Sequence, residues 1–127
     1  MQTLLLVGLG GAFGAICRYL LGVQAMRTLG AALPYGTFAA NLIGGLLMGV
    51  LMGVLSLRSG GDQERWRLLL GVGVLGGFTT FSSFSLEVGL MIERRAYGVA
   101  AAYSLASVVL SVGALFVGLI LMRKLLA

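Results

Sequence analysis

Gly76-Gly77-Phe78-Thr79-Thr80-Phe81-Ser82-Ser83-Phe84-Ser85 is the stretch that decides how this chain folds. Two glycines, five hydroxyl side chains and three phenylalanines stand in the middle of an apolar run from Leu68 to Leu86. Polar groups at such a place must be paired, buried in protein or turned to water.

The surroundings make this a membrane question. The chain is 59% hydrophobic and 10% charged, and its mean hydropathy of +1.05 lies outside the range of soluble domains. Uncharged runs cover Thr3 to Cys17 (extending past Arg18 to Leu21), Thr28 to Leu57, Leu68 to Leu86 (extending past Glu87 to Ile92) and Ala96 to Met122. Each supplies the roughly 20 apolar residues that a bilayer-crossing helix needs. The sequence therefore reads as an all-α membrane protein, a single transmembrane domain over residues 1–127. Its helices are placed near 3–21, 34–57, 66–92 and 97–123, with the third broken at 76–80. The first run continues past Cys17 without a small-residue cleavage site and keeps an arginine at its end, so it is expected to stay as a helix rather than leave as a signal peptide.

Absences narrow the chemistry. With no histidine and one cysteine, Cys17, the chain offers no Ser-His nucleophile pair, no imidazole ligand and no thiolate cluster for zinc or iron-sulfur. Enzyme chemistry is not expected of it, nor is a nucleic-acid partner. Gly8-Leu9-Gly10-Gly11-Ala12-Phe13-Gly14 resembles a dinucleotide fingerprint, but Phe13 occupies the third glycine position and no βαβ unit surrounds it. Gly10 with Gly14, Gly11 with Ala15, and Gly45 with Gly49 and Gly53 read instead as small-residue pairs that bring helix backbones together.

Four spans put both termini and the middle loop on one side. Arg58, Arg65, Arg67, Arg123 and Lys124 lie there, against Arg18, Arg27, Arg94 and Arg95 opposite. Orientation follows an excess of Lys and Arg on the cytoplasmic side, and five against four is almost no excess. A short four-helix chain with balanced charge is a candidate for insertion both ways round and for an antiparallel, dual-topology homodimer. The net charge of +5 fits head-group anchoring of helix ends as well as anion attraction at a pore mouth.

The ten residues from Leu68 to Gly77 span about 15 Å of helix, which puts the glycine pair near the bilayer midplane. A break there is one reading, with the hydroxyls of Thr79, Thr80, Ser82 and Ser83 bonding freed backbone groups and starting a new helix. An unbroken helix with a glycine packing notch is the other. Phe81 and Phe84 share a helix face, and aromatic ring edges carry the positive end of the quadrupole. Asn41, about two turns into the second helix, offers amide donors. Tyr103, Ser107 and Ser111, at four-residue spacing in the last helix, form one hydroxyl stripe. Taken singly these are interhelical glue. Together they form a path lined by neutral donors and ring edges, which suits an anion better than a cation.

On Gly11-Ala12-Phe13-Gly14-Ala15 with Arg18-Tyr19, on Pro34-Tyr35-Gly36-Thr37 through Asn41-Leu42-Ile43-Gly44-Gly45, and above all on residues 76–85, the chain resembles the Fluc/CrcB family of small fluoride channels over essentially its whole length. The resemblance implies a fluoride-selective, passive channel of the bacterial inner membrane that lowers cytoplasmic fluoride, built as an antiparallel homodimer with two pores. It implies that ring edges of Phe81 and Phe84 coordinate fluoride, that Asn41 faces the pore, and that Ser107 and Ser111 form a polar track closed at one end by Tyr103. It places Thr37 and Glu87 near one pore mouth and Arg18 at the opposite vestibule. It also implies one sodium ion at the dimer centre, held by backbone carbonyls of Gly76 and Thr79. Ser83 departs from the threonine common at its position and keeps the hydroxyl.

Two other functions compete. A proton-coupled exporter like the small multidrug resistance proteins needs a titratable membrane carboxylate, and Glu87 is the one residue placed to serve. A purely structural membrane protein needs none of the polar lining.

Overall fold

A computed structural model describes residues 1–58 and 60–126. Helix α1 spans Gln2–Leu29 and α2 Tyr35–Leu57. Helix α3 runs through an α-helical turn at Gln63–Trp66, a π-helical stretch at Arg67–Leu75 and a last turn at Gly76–Phe78. Helix α4 covers Phe81–Glu93 and α5 Tyr97–Leu126. With α3 and α4 taken together as Gln63–Glu93, four spans among the described residues are long and apolar enough to cross a membrane, and the chain is a multi-pass membrane protein.

The first span outruns its expected end at residue 21. Arg18 does not terminate α1, because its side chain turns inward and its Nε donates to the Gly77 carbonyl at 3.4 Å. The helix continues to Leu29, with Arg27 in its last turn, where a cation opposes the negative end of the helix dipole. Gly30 stops it at φ 84°, a left-handed conformation that glycine adopts without steric cost, and donates its N–H to the Met26 carbonyl at 3.0 Å.

The helix break lies inside the stretch placed from the sequence, 76–80, at its threonines and not at its glycines. Gly76 is helical, at φ −62° and ψ −39°, and the extended residues are Thr79, at φ −84° and ψ 158°, and Thr80, at φ −151° and ψ 126°. Packing explains the difference. A Cβ on Gly77 would strike the backbone of Gly11, so the glycine is needed as a notch for α1. The threonines bring side-chain oxygens that bond the backbone on both sides of the break. Thr79 Oγ1 donates to the Leu75 carbonyl at 3.0 Å. Thr80 Oγ1 caps α4 by accepting from the Ser83 N–H at 3.2 Å.

Two backbone seams hold the bundle. Along α1 and α3, a Cβ on Gly10 would lie 2.7 Å from the Leu69 carbonyl oxygen, and one on Gly14 would strike Val74. Along α2 and α5, Gly45, Gly49 and Gly53 face the backbone or side chains of Ser111, Leu115 and Met122. These are the small-residue pairs expected from the sequence, and they bring helices close enough for dispersion to hold them in lipid. Most large apolar side chains point outward, as they do where the solvent is hydrocarbon. A compact buried cluster of Met91, Ala100 and Tyr103 is packed by Phe38, Phe84, Val88 and Ala96.

Candidate functional site

The break creates a polar site because Asn41 splices it to α2. Its Oδ1 accepts the Thr80 N–H at 2.9 Å, and its Nδ2 donates to the Thr80 carbonyl at 3.2 Å. One amide thus satisfies both backbone groups of the residue that left the helix, which resolves the cost of an amide at this depth. One of the two donors expected of Asn41 is consumed in this brace. The second N–H points to no partner among the described hydrogen bonds.

A cavity of about 400 Å³ opens beside the splice. Asn41, Thr79, Thr80, Phe81, Phe84, Ser107 and Ser111 line it, so six of the sequence's candidate residues, with Thr80, meet at one place. Phe81 and Phe84 lie with ring centroids 5.6 Å apart at an interplanar angle of 39°. Phe81 is 76% exposed in the single chain, whereas Phe84 is partly buried against Tyr103, its centroid 5.4 Å away. The Oγ atoms of Ser107 and Ser111 are buried and have no hydrogen-bond partner among the described residues. Buried hydroxyls are ordinarily paired. Two on one wall of a cavity are donors without a partner among the described residues.

Tyr103 stands beyond the serines on the same helix face and does not line this cavity. Its hydroxyl donates to Glu87 Oε1 at 3.0 Å, while the Thr37 hydroxyl donates to Glu87 Oε2 at 2.7 Å. Both carboxylate oxygens are held, one by α2 and one by α5. Thr37 and Glu87 line a second cavity of about 320 Å³ between α1 and the start of α2. Arg18 lines it too, so within one chain the arginine and the carboxylate share one chamber. The cause is the inward turn that takes Arg18 to Gly77.

Gly76 and Thr79 flank the bend. The Thr80 N–H is given to Asn41, so the Gly76 carbonyl has lost the donor that would close its helical bond. The Thr79 carbonyl lies in extended backbone and accepts no backbone bond among the described residues. Such oxygens are the donor type that hard cations take.

The sequence reading missed three links. The splice from Asn41 to Thr80 joins residues 39 apart, and the bond from Thr37 to Glu87 joins residues 50 apart, so no local pattern carries them. Phe38, whose ring packs on Tyr103 with centroids 6.2 Å apart, looked like any apolar residue of a membrane helix.

The chain is similar to known proteins over nearly its whole length. A family model described as CrcB-like protein, Camphor Resistance (CrcB), matches residues 5–119. A protein of Phenylobacterium zucineum named fluoride-specific ion channel FluC is 70% identical over 127 residues, covering 100% of both chains. Relatives of the same name from Caulobacter sp. strain K31, 62% identical over 98% of this chain and 97% of its own length, and from Caulobacter vibrioides, 59% identical over 100% of both, extend the likeness. By sequence along nearly all of its length, this chain belongs to the CrcB family.

Proposed function

We propose that the chain is a fluoride-selective channel of the bacterial inner membrane, letting fluoride leave the cytoplasm down its electrochemical gradient. The observation that carries this is the pair of buried, unpartnered hydroxyls of Ser107 and Ser111 facing Phe81 and Phe84 across one cavity. Relatives up to 70% identical are named for the same ion. A small anion entering the cavity trades hydration for hydroxyl hydrogens and ring edges, all positive poles and none a full charge, so it is held without being trapped. No step consumes a proton or a cofactor.

The working unit in this reading is an antiparallel homodimer with two pores. A Phe81 ring left 76% exposed by its own chain is suited to a wall completed by a second copy. The near-equal division of basic residues suits insertion both ways round. A sodium ion at the centre of such a dimer fits the carbonyls of Gly76 and Thr79, which the break deprives of helical partners. Bound there, it would supply fixed positive charge and tie the two breaks together. Asn41 and Thr80 hold the backbone that presents those oxygens.

A proton-coupled exporter would require Glu87 to release its proton and take substrate in turn. Its two oxygens are instead held by the hydroxyls of Thr37 and Tyr103, and the relatives carry a channel's name. Purified protein in liposomes, read by a fluoride electrode with no proton gradient, tests the proposal. Potential-driven fluoride efflux is the expected result, with flux persisting in Glu87→Gln. Complete loss in that variant, or flux only under a proton gradient, favours the exporter.

A further inference from the structure

Resting on the channel reading, we infer that Phe38 is a positioning residue for Tyr103: its ring keeps the Tyr103 hydroxyl on Glu87 and so keeps the end of the serine track in a passable arrangement. The Tyr103 ring is held on two sides. Phe84 lies against it at 5.4 Å and 34°, and Phe38 at 6.2 Å and 41°. Met91, only 2% exposed, and Ala100 complete the cluster around it.

An apolar groove of about 420 Å³ adjoins the ring, with both Tyr103 and Phe38 in its wall. A tyrosine ring free of Phe38 has room to turn into that groove, carrying its hydroxyl away from Glu87. Phe38 shares the groove wall with Tyr103 and packs on its ring, so it is the neighbour whose loss enlarges the space beside the tyrosine. Its place in the sequence strengthens the case, because Thr37, immediately before it, holds the other oxygen of the same carboxylate. Two consecutive α2 residues fix the Glu87–Tyr103 pair, one through the carboxylate and one through the ring.

Phe38 lines neither of the two polar cavities, so an effect of its removal on flux must pass through a neighbour. Phe38→Ala is expected to lower fluoride flux in liposomes by about tenfold or more, on the scale at which small displacements of positioned groups act. Phe38→Tyr, which keeps the ring, restores it. Combined with Tyr103→Ala, Phe38→Ala adds no further loss, since nothing remains to position.

A second readout follows the ring itself. In protein carrying 3-fluorotyrosine at its four tyrosines, the fluorine resonance assigned through Tyr103→Phe shifts or broadens in Phe38→Ala and is native in Phe38→Tyr. If Phe38→Ala does not fold, Phe38→Leu keeps the apolar bulk, and the same comparison applies. An unchanged resonance, unchanged flux in Phe38→Ala, or fully additive losses in the double variant overturns the positioning role. A wild-type protein without fluoride flux overturns the channel reading and the conduction role with it. Unchanged flux in the variant of a conducting wild type overturns the positioning role alone.

Discussion

The seam between α2 and α5 and the half-helix α4 are built on opposite terms. Along the seam, Gly45, Gly49, Gly53 and Gly118 bring two backbones into direct contact, so a single chain completes it. Helix α4 begins at a break, packs mainly along α5, and leaves Phe81 76% exposed at its first turn. The candidate site draws on both, with Phe81 and Phe84 from α4 and Asn41, Ser107 and Ser111 from the seam helices; Gly45 sits in the seam and also lines the cavity of Ser107 and Ser111. A rigid pair of helices supplies a fixed wall, and a half-helix freed by a break supplies groups that an unbroken helix could not aim there.

Substitutions that separate the two regions break or sharpen this comparison. The largest effect is expected at the seam, where Gly49→Val drives a side chain into the Leu115 backbone. Overpacking costs about 1–3 kcal/mol where side chains can yield, and backbone yields less. Little folded protein should survive gel filtration, and native yield from Gly49→Val would show the seam to be looser than described.

Phe81→Ile comes next and reverses the pattern. The side chain supports little within its own chain, so size and helicity should be native while fluoride flux falls on the order of a hundredfold, as when one aimed electrostatic group is removed. Unfolding, or native flux, would make Phe81 a scaffold residue or a bystander.

Ser107→Ala and Ser111→Ala sharpen the contrast further. Each removes a buried hydroxyl with no partner, so thermal stability should hold or rise by up to about 1 kcal/mol, because an unsatisfied polar group is lost. Flux should fall by about tenfold as a donor to the ion disappears. A marked loss of stability would mean that the hydroxyls bond within the protein.

The smallest effect lies at the α4 cap. Thr80→Ala removes the oxygen that accepts the Ser83 N–H, at about 1 kcal/mol of stability by chemical denaturation. Thr80→Ser should behave as wild type. A larger loss would place more of the fold on the break than on the seams.

The sequence disclosed the parts of this architecture that local chemistry determines. Long uncharged runs gave the spans, glycines at four-residue spacing gave both seams, and the hydroxyl-rich knot gave a break within residues 76–80. It did not tell which of the knot's residues leave the helix, since that depends on Gly77 being claimed by Gly11 of another helix. The π-helical stretch at Arg67–Leu75 had no local signature beyond glycines that also suit an α-helix. Serines and phenylalanines of the site were legible because polar or aromatic groups stand out in an apolar helix. Phe38 and Met91 were not, because burial around Tyr103 is decided by tertiary packing. Arg18 misled for a related reason: an arginine in an apolar run suggests a helix end, and here it turns inward to a carbonyl.

The claim on which the account rests is that an α4 site unfinished within one chain is completed by a second copy inserted the other way round. A fluorophore on a C-terminal tag, in liposomes treated with an impermeant quencher, tests it directly. About half the signal should be quenched from outside and the rest only after permeabilisation, as balanced insertion requires. Complete quenching from outside, or none, in vesicles that received the protein from the cell's own insertion machinery would contradict it.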